Sequence, residues 1–132
     1  MTHLKSWLQG FWKEEGQETL LTPIDADQNF ILTYKSLEVG TLSVSEGIWT
    51  FAYSDYFKKQ NTIRPLWDFS DVDKVYRFDY LPPFFSQRIP SLEQPKVKEV
   101  LKKENIDTQN EVALLKRFGH ATIANPFILN AI

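Results

Sequence analysis

The middle of the chain carries the sequence Leu81-Pro82-Pro83-Phe84-Phe85-Ser86-Gln87-Arg88-Ile89-Pro90-Ser91. Each of its three prolines fixes φ and lacks a backbone donor, so we expect that neither a helix nor a central strand runs through it. Its two adjacent phenylalanines favour burial. The stretch is therefore predicted to be a rigid, packed connector. Strand patterns precede it and helix patterns follow it, which indicates an α+β fold.

Three short strands are predicted ahead of the connector, over residues 30–34, 37–44 and 48–53. All three are rich in β-branched and aromatic residues. A glycine within residues 45–47 favours a short hairpin loop between the second and third strands. In the third strand Trp49, Phe51 and Tyr53 alternate with smaller residues, so their rings share one face. We expect a small antiparallel sheet with that face in the core.

The stretch between the third strand and the connector has weaker patterns. Residues 54–62 are polar and predict a loop or one helical turn, and residues 74–78 predict a further strand. Pro65 disfavours helix in the residue before it. Trp67 is therefore expected on an extended segment.

A first helix is predicted after the connector. It starts either with a capping box formed by Ser91 and Gln94 or with Pro95 as its first residue. Its buried stripe consists of Val97, Val100 and Leu101. Asn105 is expected to end it.

A second helix follows, with Thr108 and Glu111 at the spacing of a capping box. Gly119 is expected to end this helix in the left-handed conformation. The buried face consists of Val112, Leu114, Leu115 and Phe118. In the tail, residues 127–129 predict a short edge element.

The amino terminus predicts an amphipathic helix. Its apolar residues recur at helical spacing: Leu4, Trp7, Leu8, Phe11 and Trp12. This stripe is expected to dock either on the core of the same chain or on another chain, because so short a helix is marginal alone. We predict one domain over residues 1–132, with residues 1–29 as an amino-terminal extension and 120–132 as a tail.

Composition places the chain among ordinary globular proteins, with 132 residues, a formal charge of −2 and 42% apolar residues. The absence of cysteine excludes disulfides and a cysteine nucleophile. Neither a membrane-spanning apolar run nor a signal peptide is recognisable. We expect a cytoplasmic protein without a membrane partner.

The search for catalytic motifs gives no candidate site. The sequence lacks a glycine-rich phosphate loop, a His-Glu-x-x-His helix and a nucleophile elbow. His120 is expected to cap a helix end, and Asp68, Asp71 and Asp73 are expected to be solvated turn residues. Residues 25–29 begin like a calcium loop but lack its later glycine and glutamate. We predict no enzyme activity, no cofactor and no metal.

A lysine-rich face on the first carboxyl-terminal helix raises the alternative of nucleic acid binding. Glu93, Glu99 and Glu104 interrupt that face. We therefore interpret it as a solvated surface and predict no direct contact with nucleic acid.

Five motifs occur in order along the chain: Val39-Gly40-Thr41-Leu42, Ile48-Trp49-Thr50-Phe51-Ala52-Tyr53, Arg64-Pro65-Leu66, Leu81-Pro82-Pro83-Phe84-Phe85 with Ile89-Pro90, and Ala113-Leu114-Leu115 to Phe118-Gly119. Together they resemble the amino-terminal subdomain of HipA-type serine/threonine kinases, over about residues 34–119. In that family the subdomain precedes a kinase body, none of which is recognisable in this sequence.

A free-standing copy of this subdomain resembles the small protein of split, tripartite toxin–antitoxin systems of the HipBST type. The resemblance implies a non-catalytic, antitoxin-type protein that binds a separate HipA-like kinase and inhibits it. It also implies a helix-turn-helix DNA-binding protein in the same complex. The alternative is a structural subunit that completes the amino-terminal lobe of the kinase and supports its activity.

The sequence departs from the resembled family at two places. Trp67 stands where the family usually has a serine, and residues 87–91 replace a leucine-rich Leu-Pro-Glu-Gly segment. Tryptophan is enriched at interface hot spots. The predicted partner-binding residues are Leu66, Trp67, Asp68, Phe69 and Arg88.

Overall fold

The structure is a computed structural model that describes residues 20–132. The predicted amino-terminal helix with Leu4, Trp7, Leu8, Phe11 and Trp12 lies outside these residues. Among the described residues, no helix is long and apolar enough to cross a membrane.

Five strands form one antiparallel sheet in the described part of the chain. They are β1 (Gln28–Tyr34), β2 (Leu37–Ser45), β3 (Ile48–Tyr53), β4 (Tyr76–Phe78) and β5 (Ile128–Ala131). The strand order is β4-β3-β2-β1-β5, with every neighbouring pair antiparallel. The three predicted central strands, the strand before the connector and the edge element in the tail are confirmed. Glu46 and Gly47, at φ 52° and 76°, make the hairpin turn between β2 and β3.

Four helices complete the described fold: α1 (Asp55–Lys59), α2 (Pro83–Ser86), α3 (Pro95–Lys103) and α4 (Glu111–Phe118). The sheet with its helices confirms the α+β class. Helix α1 shows that the helical turn, and not the loop, is the right one of the two alternatives expected after β3.

Helix α2 corrects the prediction that no helix runs through the connector. Pro83 is the first residue of this helix, where its missing N–H has no intrahelical partner in any case. The amides of Phe85 and Ser86 donate to the carbonyl of Pro82 at 2.9 and 3.0 Å. A proline at this position therefore starts a short helix instead of preventing one.

The sequence left two alternatives for the start of α3, a capping box and Pro95, and one prediction for its end. Gln94 precedes Pro95 without a side-chain cap, so the helix begins at the proline and the capping box is wrong. Asn105 follows the helix with φ 53°, and the next amide, Ile106 N, donates to Leu101 O at 2.9 Å. This left-handed residue confirms Asn105 as the end of α3.

Both predicted caps of α4 are wrong. Asn110, not Thr108, caps the helix, and its side chain accepts from Ala113 N at 3.1 Å. Gly119 follows the helix at φ −84°, which is not left-handed. A Cβ added at Gly119 would lie 2.5 Å from Leu115 O, so close packing accounts for this glycine.

Aromatic rings fill the core where the sheet meets the connector. Trp49, Phe51 and Tyr53 are buried, which confirms the core-facing side of β3. The ring of Phe51 lies 4.9 Å from that of Phe69 and 5.6 Å from that of Phe85. The sheet, the loop before β4 and the connector therefore share one aromatic cluster.

The first described residues are attached to α4. Leu20 is buried, and Leu21 exchanges backbone hydrogen bonds with Gln109 and Glu111 at 2.8 and 3.1 Å. The hydroxyl of Thr22 accepts from Trp49 Nε1 at 2.8 Å and donates to the carboxylate of Glu111. Residues 20–22, part of the predicted extension, thus pack against the sheet and the helix.

Replacement of Phe85 by alanine tests the packed connector. The Phe85 side chain is fully buried, so Phe85→Ala should lower the free energy of unfolding by about 3 to 5 kcal/mol. Phe84→Ala should cost less, because Phe84 is only half-buried. Urea denaturation measures both, and equal midpoints for parent and Phe85→Ala would show that the connector does not pack as described.

Candidate partner-binding site

The most exposed aromatic side chain of the described residues lies in a β-turn. Phe69 N donates to Leu66 O at 2.9 Å, which places Trp67 and Asp68 at the two central positions. Trp67 is 95% exposed. We call residues 66–69 the Trp67 turn. The extended segment predicted here is wrong, because Pro65 restricts the residue before it but leaves those after it free to turn.

The phenol of Tyr53 holds the Trp67 turn from the core side. Its oxygen accepts from Leu66 N at 2.9 Å, and its O–H donates to Phe69 O at 2.5 Å. The Tyr53 ring is itself fixed at the end of β3 by stacking on Phe57, with centroids 4.8 Å apart. Both ends of the turn are therefore attached to one buried side chain.

The Tyr53 phenol is neutral at physiological pH, and burial extends its neutral range to higher pH. Desolvation raises the pKa of Tyr53 to about 12, although the hydrogen bond from Leu66 N opposes the shift. A neutral phenol can donate and accept at once, whereas a phenolate can only accept. The double contact with the Trp67 turn thus depends on the protonated form.

Leu66 and Phe69, two of the predicted partner-binding residues, point into the protein. Both are buried, and the Phe69 ring contacts the rings of Phe51 and Phe85. Their side chains anchor the turn and are not available on the surface. Trp67 and Asp68, by contrast, are exposed next to each other.

Arg88, a further predicted partner-binding residue, is also internal. It is 4% exposed, and its Nη1 donates to Gly119 O at 3.0 Å and to His120 O at 3.3 Å. Nη2 donates to Phe127 O at 2.9 Å and to Asn125 Oδ1 at 3.1 Å. Burial lowers the pKa of Arg88 to about 10. Arg88 ties the connector to the end of α4 and to the tail.

A groove of about 390 Å³ lies beside the Trp67 turn. Its lining residues come from the turn, β4, the following bend and the connector: Asp68, Phe69, Phe78, Tyr80, Pro82, Pro83 and Gln87. The groove was not among the sites expected from the sequence. Its walls meet only through contacts between separate segments, so no local pattern predicts it.

Two of the residues considered as catalytic candidates, His120 and Asp71, make contacts that organise the local backbone. The backbone carbonyl of His120 accepts from Leu129 N at 2.9 Å and from Arg88. Asp71 Oδ1 accepts from Asp73 N at 3.0 Å, the turn hydrogen bond expected of this loop. Within residues 20–132, no three His, Cys, Asp or Glu side chains are arranged to hold a metal ion.

Comparison with known proteins identifies the family. A family model described as the HipA N-terminal domain matches residues 31–124. The match covers most of the chain, so this chain belongs to the HipA N-terminal domain family. The family corresponds to a kinase amino-terminal subdomain and is not itself a catalytic domain. A search of curated proteins gives no significant match.

Tyr53→Phe should loosen the Trp67 turn without unfolding the protein. The ring contacts remain, but Leu66 N and Phe69 O lose their partner, which should cost about 1 to 3 kcal/mol. Hydrogen exchange at the Leu66 amide should become faster. Tyr76→Phe is the matched control, because within the described residues its phenol is hydrogen-bonded to the exposed backbone of Asp71 and not to the Trp67 turn. Unchanged exchange at Leu66 in Tyr53→Phe would contradict the role of the phenol.

High pH should destabilise the protein through the same group. The folded-state pKa of Tyr53, about 12, exceeds its ordinary value of 10.0. The contribution of the Tyr53 pKa shift to the free energy of unfolding is thus fully present below pH 10 and is lost as the pH rises through 12. Urea midpoints between pH 9 and 12 should fall more for the parent than for Tyr53→Phe. Parallel profiles would contradict the raised pKa.

Proposed function

We propose that this chain is a non-catalytic binding protein that associates with a separate HipA-like serine/threonine kinase and inhibits it. Membership of the HipA N-terminal domain family supports the kinase as partner. The observation that carries the proposal is the 95% exposed Trp67, presented on a turn whose ends are fixed by Tyr53.

Exposure of Trp67 has a physical cost in the isolated protein. An exposed tryptophan ring gains no free energy from burial in the isolated protein. Burial of the ring against a partner would supply that free energy. The resembled family usually has serine at this position, so the family fold does not require the ring. Because the turn is already fixed, little conformational entropy is lost when it binds. These properties are typical of an interface hot spot.

We propose inhibition of the kinase, and not support of its activity, because the protruding ring of Trp67 on a rigid turn is suited to insertion into a cleft of the kinase. The alternative, completion of the amino-terminal lobe, predicts that kinase activity rises when this chain is added. A phosphotransfer assay with and without the chain therefore separates the two. A helix-turn-helix protein in the same complex remains a prediction.

Trp67→Ala should weaken binding to a HipA-like kinase by about 2 kcal/mol or more and relieve inhibition. Calorimetry measures the affinity and phosphotransfer the inhibition. The thermal midpoint of the variant should match that of the parent, since the ring has almost no contacts to lose.

Ile24→Ala is the matched control for this experiment. Ile24 is also a large, exposed apolar residue, at 74%, but its Cδ1 lies by Gly47 at the other end of β3 from Tyr53. The control should bind like the parent. Full inhibition by Trp67→Ala, or an equal loss in both variants, would contradict the proposed contact.

A further inference from the structure

We propose that the groove beside the Trp67 turn binds an arginine side chain of the partner protein. The identity of the partner rests on the proposed function, but the chemistry of the groove does not. Three features of the groove support arginine as its ligand: the residues that line it, their charge and their position next to Trp67.

The walls of the groove are suited to a flat cation. Phe78 and Tyr80 line it, with ring centroids 5.4 Å apart, and the buried residue Phe69 also borders it. Pro82 and Pro83 complete the apolar surface. Aromatic faces attract a guanidinium group through their quadrupole, and the planar group also stacks on them.

The charge of the groove is negative. Among the described residues that line it, Asp68 is the only charged one. Its carboxylate is exposed, and neither of the ion pairs found within the described residues involves it. Because the described lining carries one carboxylate and no cation, this aromatic groove complements a positively charged side chain.

Arginine fits this arrangement better than lysine. A carboxylate accepts two parallel N–H bonds from guanidinium, whereas an ammonium group is a point charge without a stacking surface. Gln87, at the connector end of the groove, offers an amide oxygen for a further donor. A volume of about 390 Å³ is near the lower end of the range for small-molecule sites, which suits one long side chain.

The surroundings favour the approach of a cationic segment. Residues 66–80 contain four acidic residues and two basic ones, a formal charge of −2. The Nζ atom of Lys74, one of the two basic residues, lies 4.9 Å from the centre of the Tyr76 ring. Such a field accelerates encounters with a basic surface and is weakened by salt.

The first experiment tests the groove without the kinase. The full chain is titrated with N-acetyl-arginine methylamide, and with the neutral isostere N-acetyl-citrulline methylamide, under NMR observation. Amide shifts at Asp68, Tyr80 and Gln87 should respond to the arginine probe alone. Asp68→Asn should abolish the response, and Asp73→Asn, the same charge change outside the groove lining, should preserve it. No response, or an equal response to citrulline, overturns the inference.

The second experiment measures affinity for the kinase. Asp68→Asn should reduce the affinity about tenfold and flatten its salt dependence, whereas Asp73→Asn should do neither. If Trp67→Ala weakens binding but Asp68→Asn does not, the proposed function stands and the arginine site is wrong. If the parent chain does not bind the kinase, the proposed function fails, and the titration with the arginine probe alone decides the inference.

Discussion

The contact of Phe51 with Phe69 and Phe85 is the interaction on which the rest of the structure depends. Phe51 lies in β3, Phe69 closes the Trp67 turn and Phe85 lies in α2. Three segments that are separated along the chain are thus held by one cluster of rings. Because aromatic side chains bury large areas, this cluster fixes the connector and the turn relative to the sheet.

The exposure of Trp67 follows from the burial of its neighbours. Leu66 and Phe69 are drawn into the core, and Tyr53 bonds the backbone of both, so the two central residues of the turn must face outward. The same packing brings Pro82 and Pro83 beside Asp68 and forms the groove. The candidate site is therefore a consequence of the core and not a separate loop attached to it.

Arg88 illustrates how a charged residue can serve the fold. Its guanidinium lies among backbone carbonyls beyond the end of α4, where the helix dipole favours a cation, and it also binds the tail that leads into β5. Neutral acceptors bind both of its terminal nitrogens, whereas its buried Nε has no hydrogen-bond partner among the described residues. The bonds to the terminal nitrogens offset part of the cost of burying the charge. The connector, α4 and the tail are thereby tied together at one side chain.

The sequence by itself determined the α+β class, the strands and their core-facing rings, the two long helices and the family, because periodicity and motif order are local properties of the chain. It also indicated Trp67 and Asp68. Tertiary structure decided the caps of α4, since Asn110 competes with Thr108 and Gly119 serves close packing. It also decided that Leu66, Phe69 and Arg88 are internal and that a groove exists. Burial depends on contacts between distant segments, and residue type and spacing do not encode those contacts locally.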